Sequence, residues 1–396
     1  MRLLDRLRQH LGAIKLVLAT MVAAALFAAC GTPGGGGMPE SGGITGTTGG
    51  VKVALLLPIT APGSTPAIAK ALKQAAELAL FDFDNPNVVL VPKDTKGSAS
   101  GAQLAAESAV QDGAELIIGP LFAQEVQGAA EVARRSGIPM IAFSSDEKVA
   151  GGGVYLLSFV AGRDVPRIVT YASSQGKRNF AALVPQSAYG RIAEEAFGRA
   201  VSTGGGQIVV RATYAPESGS AMQGPVNQIA NAIKGQRIDA LFLPAGREEL
   251  PSLAPLLASA GVTSATVQII GTGQWDYPNI GTEQALVGGW YPAPDPKGWS
   301  GFAQRYSQTF GGNPPRIASL AYDAVSLAVS LSQNLQGQRY TSAQLTRPSG
   351  FAGVDGLFRL LSDGTSERGL AILDVRSGGS SVIAPAPSSF TTASTY

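Results

Sequence analysis

The feature that most constrains the fold of this 396-residue chain is a repeated alternation of short apolar runs with Ala- and Leu-rich segments. The alternation starts at Val51 and continues to Ile270. Residues 51–58 are apolar nearly throughout, which is typical of a parallel strand buried on both faces. Strands that alternate with helices predict parallel sheets with helices on both faces. The sequence therefore predicts an α/β protein.

The N-terminus has the pattern of a secretory signal peptide. Four basic residues precede about fourteen uncharged, mostly apolar residues, a run too short to span a bilayer. Residues 26–30 (LFAAC) resemble the bacterial lipobox, in which the cysteine after the cut carries lipid, although Phe27 stands where Leu is usual. This predicts lipidation of Cys30. The alternative is ordinary secretory cleavage near Ala29 beside an incidental cysteine.

Loss of residues 1–29 changes which functions are open to the chain. It removes four basic residues, Asp5 and the single histidine, His10, so the formal net charge falls from +2 to −1. A chain without histidine cannot use a Ser-His-Asp triad or a histidine-bound metal. No basic field remains to attract nucleic acid. We expect no cofactor and no metal.

A Gly-rich segment separates the leader from the patterned region. Residues 31–50 contain ten glycines, and a chain of that length has an r.m.s. reach of about 25 Å. Such a tether would hold a globular body near a membrane surface without burying it there.

Six short sequence motifs occur in an order and spacing that are specific to one protein family. They are VALLLPIT at 53–60, IIGPL at 117–121, GIPMI at 137–141, AYG at 188–190, GT at 271–272 and LAYDAV at 320–325. Together they resemble the type 1 periplasmic binding proteins, the branched-chain amino-acid-binding family, over roughly residues 51–376. The resemblance implies two α/β lobes joined by three crossovers, with a ligand cleft between them. In open parallel sheets the ligand also belongs at the carboxyl ends of the strands.

The resemblance and the pattern together predict seven segments. They are a signal peptide (1–29), a lipidated cysteine with its tether (30–50), the first lobe (51–161), the second lobe (162–288), a return to the first lobe (289–350), a return to the second lobe (351–376) and a frayed tail (377–396).

Two functions follow from the resemblance. The first is a non-enzymatic solute-binding protein that closes on a small polar ligand and delivers it to an ABC permease. The alternative follows from residues 119–124, 142–146 and 154–159, which resemble the penicillin-binding protein activators, lipoproteins that regulate peptidoglycan synthesis by contact with a penicillin-binding protein. Both functions place the chain in the bacterial envelope, in the periplasm on a lipid anchor. Gly31 after the cysteine favours the outer membrane.

The resemblance also implies a set of ligand-binding positions. They are Phe122, Ala123, Ser144, Ser145, Asp146, Tyr189, Gly273 and Trp275. The amino-acid binders have a serine where this chain has Ala123, a threonine where it has Asp146 and an acidic residue where it has Gly273, whereas Tyr189 is retained. Weak binding of leucine, isoleucine and valine is therefore expected.

Some of these residues have a second interpretation. Ser145 to Lys148 fits the S-x-x-K nucleophile motif, but no K-T-G accompanies it, so we expect no enzyme. Ser144 and Ser145 either bond the ligand or cap the following segment. Trp275 either stacks on the ligand or packs at the hinge. Asp82 and Asp84 lack the spacing of a calcium loop and are predicted to be solvated.

The lipid anchor gives a first testable prediction. Changing Cys30→Ser should move the protein from the membrane pellet to the soluble envelope fraction, because the acyl chains would be its attachment. Fractionation with an immunoblot measures this. A mutant that stays in the pellet after a high-salt wash would contradict the lipoprotein interpretation.

Overall fold

The computed structural model describes residues 49–84, 86–216 and 219–390. The predicted signal peptide, the lipid site at Cys30 and residues 31–48 of the tether lie outside the described residues. Within the described ranges, no helix combines the length and apolar character needed to cross a membrane.

The first lobe is built on a parallel sheet of five strands in the order β2-β1-β3-β4-β5. Its strands are β1 (Val51–Leu57), β2 (Val88–Asp94), β3 (Leu116–Ile118), β4 (Met140–Ala142) and β5 (Val154–Leu156). The helices between them are α1 (Thr65–Phe81), α2 (Ala99–Gln111) and α3 (Ala123–Arg135).

The second lobe repeats the same alternation. Its first strands are β6 (Asn179–Pro185), β7 (Gln207–Tyr214), β8 (Ala240–Phe242), β9 (Gln268–Ile270) and β10 (Trp290–Ala293). Its helices are α4 (Val165–Ser174), α5 (Ala188–Thr203), α6 (Gly219–Gly235) and α7 (Leu250–Ser259).

The last third of the chain contributes to both lobes. It contains α8 (Pro296–Phe310), α9 (Ala318–Ser332), α10 (Ser342–Leu345), β11 (Phe351–Gly353), β12 (Gly356–Leu360), β13 (Ser366–Arg368), β14 (Ala371–Arg376) and β15 (Gly379–Ala384). Strands β11 to β13 form a separate antiparallel sheet, here called the small sheet. Strands β14 and β15 complete the second sheet, whose order is β15-β14-β10-β9-β8-β6-β7.

Both large sheets are buried on two faces, as the apolar runs predict. On β1, Val53, Leu55 and Leu57 pack in a core with α1 and α9. Ala54 and Leu56 point to the other face and pack with α2 and α3. Strand β6 alternates in the same way between a core with α6 and α7 and a core with α4 and α5. The predicted two-lobed α/β fold is confirmed.

The predicted return to the first lobe at residue 289 is wrong for its first strand. Strand β10 lies in the second sheet, parallel to β9 and antiparallel to β14. The chain enters the first core only with α8, whose Phe302 and Tyr306 are buried there. The run at 290–293 contains aromatic residues and Pro and lacks a simple strand alternation, so its sequence does not indicate a strand of the second sheet.

Two further predicted segments need correction. Residues 351–368 belong to the first core, since Phe351 and Phe358 pack there, and the chain rejoins the second sheet only at β14. The tail predicted to fray from residue 377 contains β15, which pairs with β14 in antiparallel register. Its Ser-rich sequence is explained by its position at the sheet edge, where most of its residues are exposed or half-buried.

The close packing of α2 on α3 gives a second prediction. A methyl group added at Gly128 of α3 would collide with the carbonyl oxygen of Ala99, whereas one added at Gly198 of α5 meets no described atom within 4 Å. Gly128→Ala should lower the free energy of unfolding by about 1–3 kcal/mol. The matched control Gly198→Ala should raise it by about 0.5–1 kcal/mol, because alanine is the better helix former. Urea denaturation of both variants measures the difference; equal effects would contradict the described packing.

Candidate functional site

A cavity of about 550 Å³ lies where the two lobes meet. Residues of both lobes line it, including Ser145 and Ser158 after strands of the first sheet and Tyr189 and Gly273 after strands of the second. All four follow the carboxyl ends of parallel strands, which is where ligands bind in such sheets. The volume falls within the range of about 300–1,000 Å³ that is usual for small-molecule sites.

Three of the eight predicted ligand-binding residues line this cavity: Ser145, Tyr189 and Gly273. The hydroxyl of Tyr189 lies 2.7 Å from the Thr272 hydroxyl, so this side chain is held by a buried neighbour. Burial raises the pKa of Tyr189, so the phenol stays neutral and can both donate and accept hydrogen bonds. Their role in ligand binding stays a prediction.

Four other predicted residues do not line the cavity. Ser144 is buried and accepts a hydrogen bond from the backbone N–H of Asp146 at 3.1 Å. Asp146 is exposed and accepts one from the backbone N–H of Lys148 at 3.1 Å. Asp146 therefore caps the short helical turn Glu147–Val149, and Ser144 bonds the backbone of that cap residue. Phe122 and Ala123 stand at the N-terminus of α3, where the Phe122 backbone N–H donates to Glu125 Oε2 at 2.9 Å.

The prediction that Trp275 binds the ligand is wrong. Its side chain is completely buried in the second core, with its ring centroid 6.1 Å from that of Tyr291. A fully buried indole cannot stack on a ligand in the cleft, and Trp275 packs in the second core rather than at the hinge.

The sequence prediction missed Asp164, which lines the cavity at the start of α4. Its Oδ2 accepts a hydrogen bond from the backbone N–H of Gly273 at 2.5 Å. Its Oδ1 is buried and has no hydrogen-bond partner among the described residues. Burial raises the pKa of this carboxyl group. The resemblance implies an acidic side chain at position 273. In this chain the carboxyl group beside the Gly273 backbone belongs instead to Asp164, at the start of α4.

The sequence prediction also missed the three arginines that line the cavity, of which Arg163 pairs with Glu147 at 2.6 Å. The first of the other two is Arg316, just before α9. Its Nη2 lies 2.7 Å from Asp355 Oδ1 and 3.8 Å from Asp276 Oδ2. Its guanidinium group stands over the Trp299 ring at 4.5 Å. Burial raises the pKa of Asp276, and the positive charge of Arg316 opposes that rise. Arg316 therefore already has carboxylate partners.

The second arginine, Arg368, ends strand β13 and is only 7% exposed. The nearest carboxylate oxygen is Asp323 Oδ2, at 3.5 Å from Nη1. Asp323 is buried on α9, where its Oδ1 accepts a hydrogen bond from the Val354 backbone N–H at 2.7 Å. Burial raises the pKa of Asp323 to about 7, although the charge of Arg368 works against the rise. No local motif marks Arg368, since its neighbours in space come from distant parts of the chain.

The described part of the chain contains no group of three or more acidic, cysteine or histidine residues that could hold a metal ion.

Comparison with known proteins shows the family of this fold. The sequence profile described as periplasmic binding protein matches residues 50–380. No curated protein matches the chain. A Rhodospirillum rubrum structure, provisionally described as a branched-chain amino acid ABC transporter, superposes with a TM-score of 0.74 at 18% identity, covering 84% of this chain and all of that one.

Two other similar structures contain ligands. A Desulfitobacterium hafniense ABC transporter substrate-binding protein in complex with Leu has a TM-score of 0.59 at 16% identity, covering 84% of this chain and 99% of that one. A Rhodopseudomonas palustris solute-binding protein in complex with benzoate has a TM-score of 0.54 at 18% identity, covering 86% and 98%. At these identities the likeness shows the fold.

The buried Asp323 gives a third prediction. Between its ordinary pKa of 3.8 and about 7, the folded protein keeps a proton on Asp323 that the unfolded chain releases. Asp323 therefore contributes stability that is lost as the pH rises through this interval. The stability difference between wild type and Asp323→Asn should fall with rising pH by at least about 1.4 kcal/mol, the equivalent of one pKa unit. Thermal melts over this interval measure it.

Asp363→Asn is the matched control. Hydrogen bonds from Thr365 lower the pKa of Asp363, so this carboxyl group is ionised in both states over most of the same interval. The difference between wild type and this variant should stay nearly constant with pH. A constant difference for Asp323→Asn as well would show that Asp323 is ionised in the folded protein.

Proposed function

Because this chain belongs to the periplasmic binding protein family, we propose that it is a non-enzymatic solute-binding protein that closes its two lobes on a small polar ligand. The cavity carries the proposal, since residues after strands of both sheets face one space of about 550 Å³. A ligand that touches both lobes stabilises the closed arrangement, because its contacts with one lobe are lost when the lobes separate.

The partner in this function is an ABC permease that accepts the ligand from the closed protein. The chemistry of the lining supports a ligand with polar groups. Asp164, Asp276 and Arg316 bring charges of both signs to the cavity, while Phe159 and Ile192 add apolar surface. The related structures hold leucine and benzoate, each of which combines a carboxylate with an apolar body.

The predicted anchor fits this function. The signal peptide, the lipid on Cys30 and the Gly-rich tether would hold the binding domain in the periplasm beside a membrane, with the outer membrane favoured. The second candidate is a penicillin-binding protein activator, which rests on the phrases at 119–124, 142–146 and 154–159. An activator would bind a peptidoglycan synthase through its surface and need no ligand in the cleft.

A ligand screen with a cavity-blocking variant gives the fourth prediction. Amino acids and small organic acids are tested one by one for a rise in melting temperature. A ligand at a hundredfold excess over its Kd stabilises the folded state by about 2.7 kcal/mol. Ser145→Trp should abolish the rise, because Ser145 is exposed at the cavity wall and an indole there would occupy ligand space. X-ray scattering should show a smaller radius of gyration with the ligand.

Lys148→Trp is the matched control, since Lys148 is exposed in the same loop and does not line the cavity. It should keep the full ligand-induced rise. A ligand response that survives in Ser145→Trp would place the binding site elsewhere. No response to any compound, together with capture of a peptidoglycan synthase from membranes, would favour the activator function.

A further inference from the structure

The chain makes one further crossing between the lobes after strand β15. The earlier crossings follow from the order of the elements: residues 157–164 after β5, residues 294–295 after β10 and residues 369–370 after β13. Residues 385–390 leave β15 at the edge of the second sheet, and they end against the small sheet, which packs in the first core. These six residues are here called the C-terminal strap.

The strap begins on the second lobe. Ala384, the last residue of β15, pairs with Ile372 of β14. The carbonyl oxygen of Pro385 accepts a hydrogen bond from Nη2 of Arg167, in α4, at 3.2 Å. Ala386 packs against the second core. The first residues of the strap therefore move with the second lobe.

The strap ends on the first lobe, where Phe390 is its anchor. The Phe390 side chain is only 2% exposed. The guanidinium group of Arg359, on β12, stands over its ring at 4.6 Å. A Cβ atom added at Gly350, just before β11, would lie 3.0 Å from Cε2 of the same ring. Because exposure of a buried phenylalanine to water is unfavourable, the ring opposes detachment of the strap.

Between its two ends the strap runs beside the crossing at residues 369–370. Arg167 Nε donates to the Leu370 carbonyl at 2.8 Å, while its Nη2 bonds the strap at Pro385. Pro387 packs on Gly369, where an added Cβ atom would lie 3.1 Å from the Pro387 Cγ atom. One side chain of α4 thus holds the strap and the crossing segment side by side.

The strap is short and has little slack. Six residues span at most about 20–22 Å when fully extended. The two prolines at 385 and 387 further restrict the backbone, because each fixes its own φ angle. The end of β15 cannot move farther than this span from Phe390 while the ring stays in place. The family profile matches residues 50–380, so the strap lies beyond the matched region.

We propose that the C-terminal strap is a fourth connection between the lobes and restrains how far the cavity opens. When the lobes rotate apart, β15 moves with the second lobe and the small sheet with the first. A segment that is docked on both must then extend fully or release Phe390, and each of these opposes opening. The inference rests on the proposed function only in that the lobes open and close.

The first test changes the length of the strap and keeps its anchors. Ten Gly and Ser residues are inserted between Ala386 and Pro387, which adds a flexible segment with an r.m.s. reach of about 17 Å. Both ends can then stay docked while the lobes move apart. The matched control inserts the same ten residues between Ser377 and Gly378, in the exposed turn that joins β14 to β15, and leaves the strap at its natural length.

Distances between the lobes are measured by double electron–electron resonance on the ligand-free protein. Cys30 is the only cysteine of the chain, so Cys30→Ser gives a background in which Leu104→Cys and Gln223→Cys carry two spin labels. Both residues are exposed, on α2 and α6, the helices that follow strands β2 and β7. In each sheet this strand is the edge opposite the crossing segments after β5 and before β14, so the labels are placed to report opening with a long lever arm.

The insertion in the strap should shift the distances between the labels to larger values and broaden their distribution. The control insertion should leave the distribution of the parent protein unchanged. Phe390→Ala should act like the insertion in the strap, because it removes the ring that anchors the strap on the first lobe. Urea denaturation confirms that each variant folds.

A folded strap-insertion variant with the distance distribution of the parent protein would overturn the inference. Equal widening in the control insertion would also overturn it, because the effect would then not depend on the strap. The ligand screen with Ser145→Trp tests the proposed function separately, so a negative result for the strap leaves that function standing.

Discussion

Two buried carboxylates hold together the region in which the lobes meet. Asp323 of α9 accepts a hydrogen bond from the Val354 backbone, and Asp355 of the small sheet accepts one from the Ser319 hydroxyl of α9 at 2.6 Å. Each acid thus bonds to the element that the other comes from. Separation of α9 from the small sheet would break both hydrogen bonds and leave buried polar groups without partners, which favours a single docked arrangement. The same two acids lie beside Arg316, at 2.7 Å, and Arg368, at 3.5 Å, so contacts with buried residues help to set the positions of both arginines at the cavity.

Contacts between distant parts of the chain explain why only some of the fold could be predicted from the sequence. Strands β3 and β4 are fully apolar, so the local sequence pattern alone predicted their positions. The positions of strands β10 and β15 did not follow from the pattern. Strand β10 pairs with β14 some eighty residues away, and β15 has no fully buried residue. A short segment that contains Pro, such as β10, shows no hydrophobic periodicity that would indicate its antiparallel pairing with a distant strand.

The residues of the candidate site also fall into those that the sequence predicts and those that it does not. Ser145 and Tyr189 follow strands in phrases typical of the family, and the structure places both at the cavity. Trp275 could not be resolved from sequence, because an aromatic residue after a loop looks the same whether it faces ligand or core. Its place in the core depends on Gly271, where a Cβ atom would collide with the indole ring. Asp164 and Arg368 depend on contacts with residues far away in the chain, which composition and spacing do not contain.

The acidic group at the cavity of this chain does not come from position 273, where the family resemblance implies one. Relatives at 16–18% identity share the two lobes. In this chain the acidic group beside Gly273 comes from Asp164 at the start of α4, and two of the three lining arginines, Arg316 and Arg368, come from the last third of the chain. If the lobes close on a ligand as proposed, side chains at the crossing segments would change position with the lobes, which would couple binding to closure.

The small sheet has one more consequence, for association between molecules. Strand β5 stands at the edge of the first sheet, where unpaired backbone groups could template a strand of another chain. The Leu156 backbone N–H instead donates to the Gly364 carbonyl at 2.7 Å, in the turn between β12 and β13. Gly364 has a positive φ of 86°, and a Cβ atom there would collide with Gly151 and Val154. A single glycine thus lets the turn cover this edge of the first sheet, where a strand of another chain could otherwise pair.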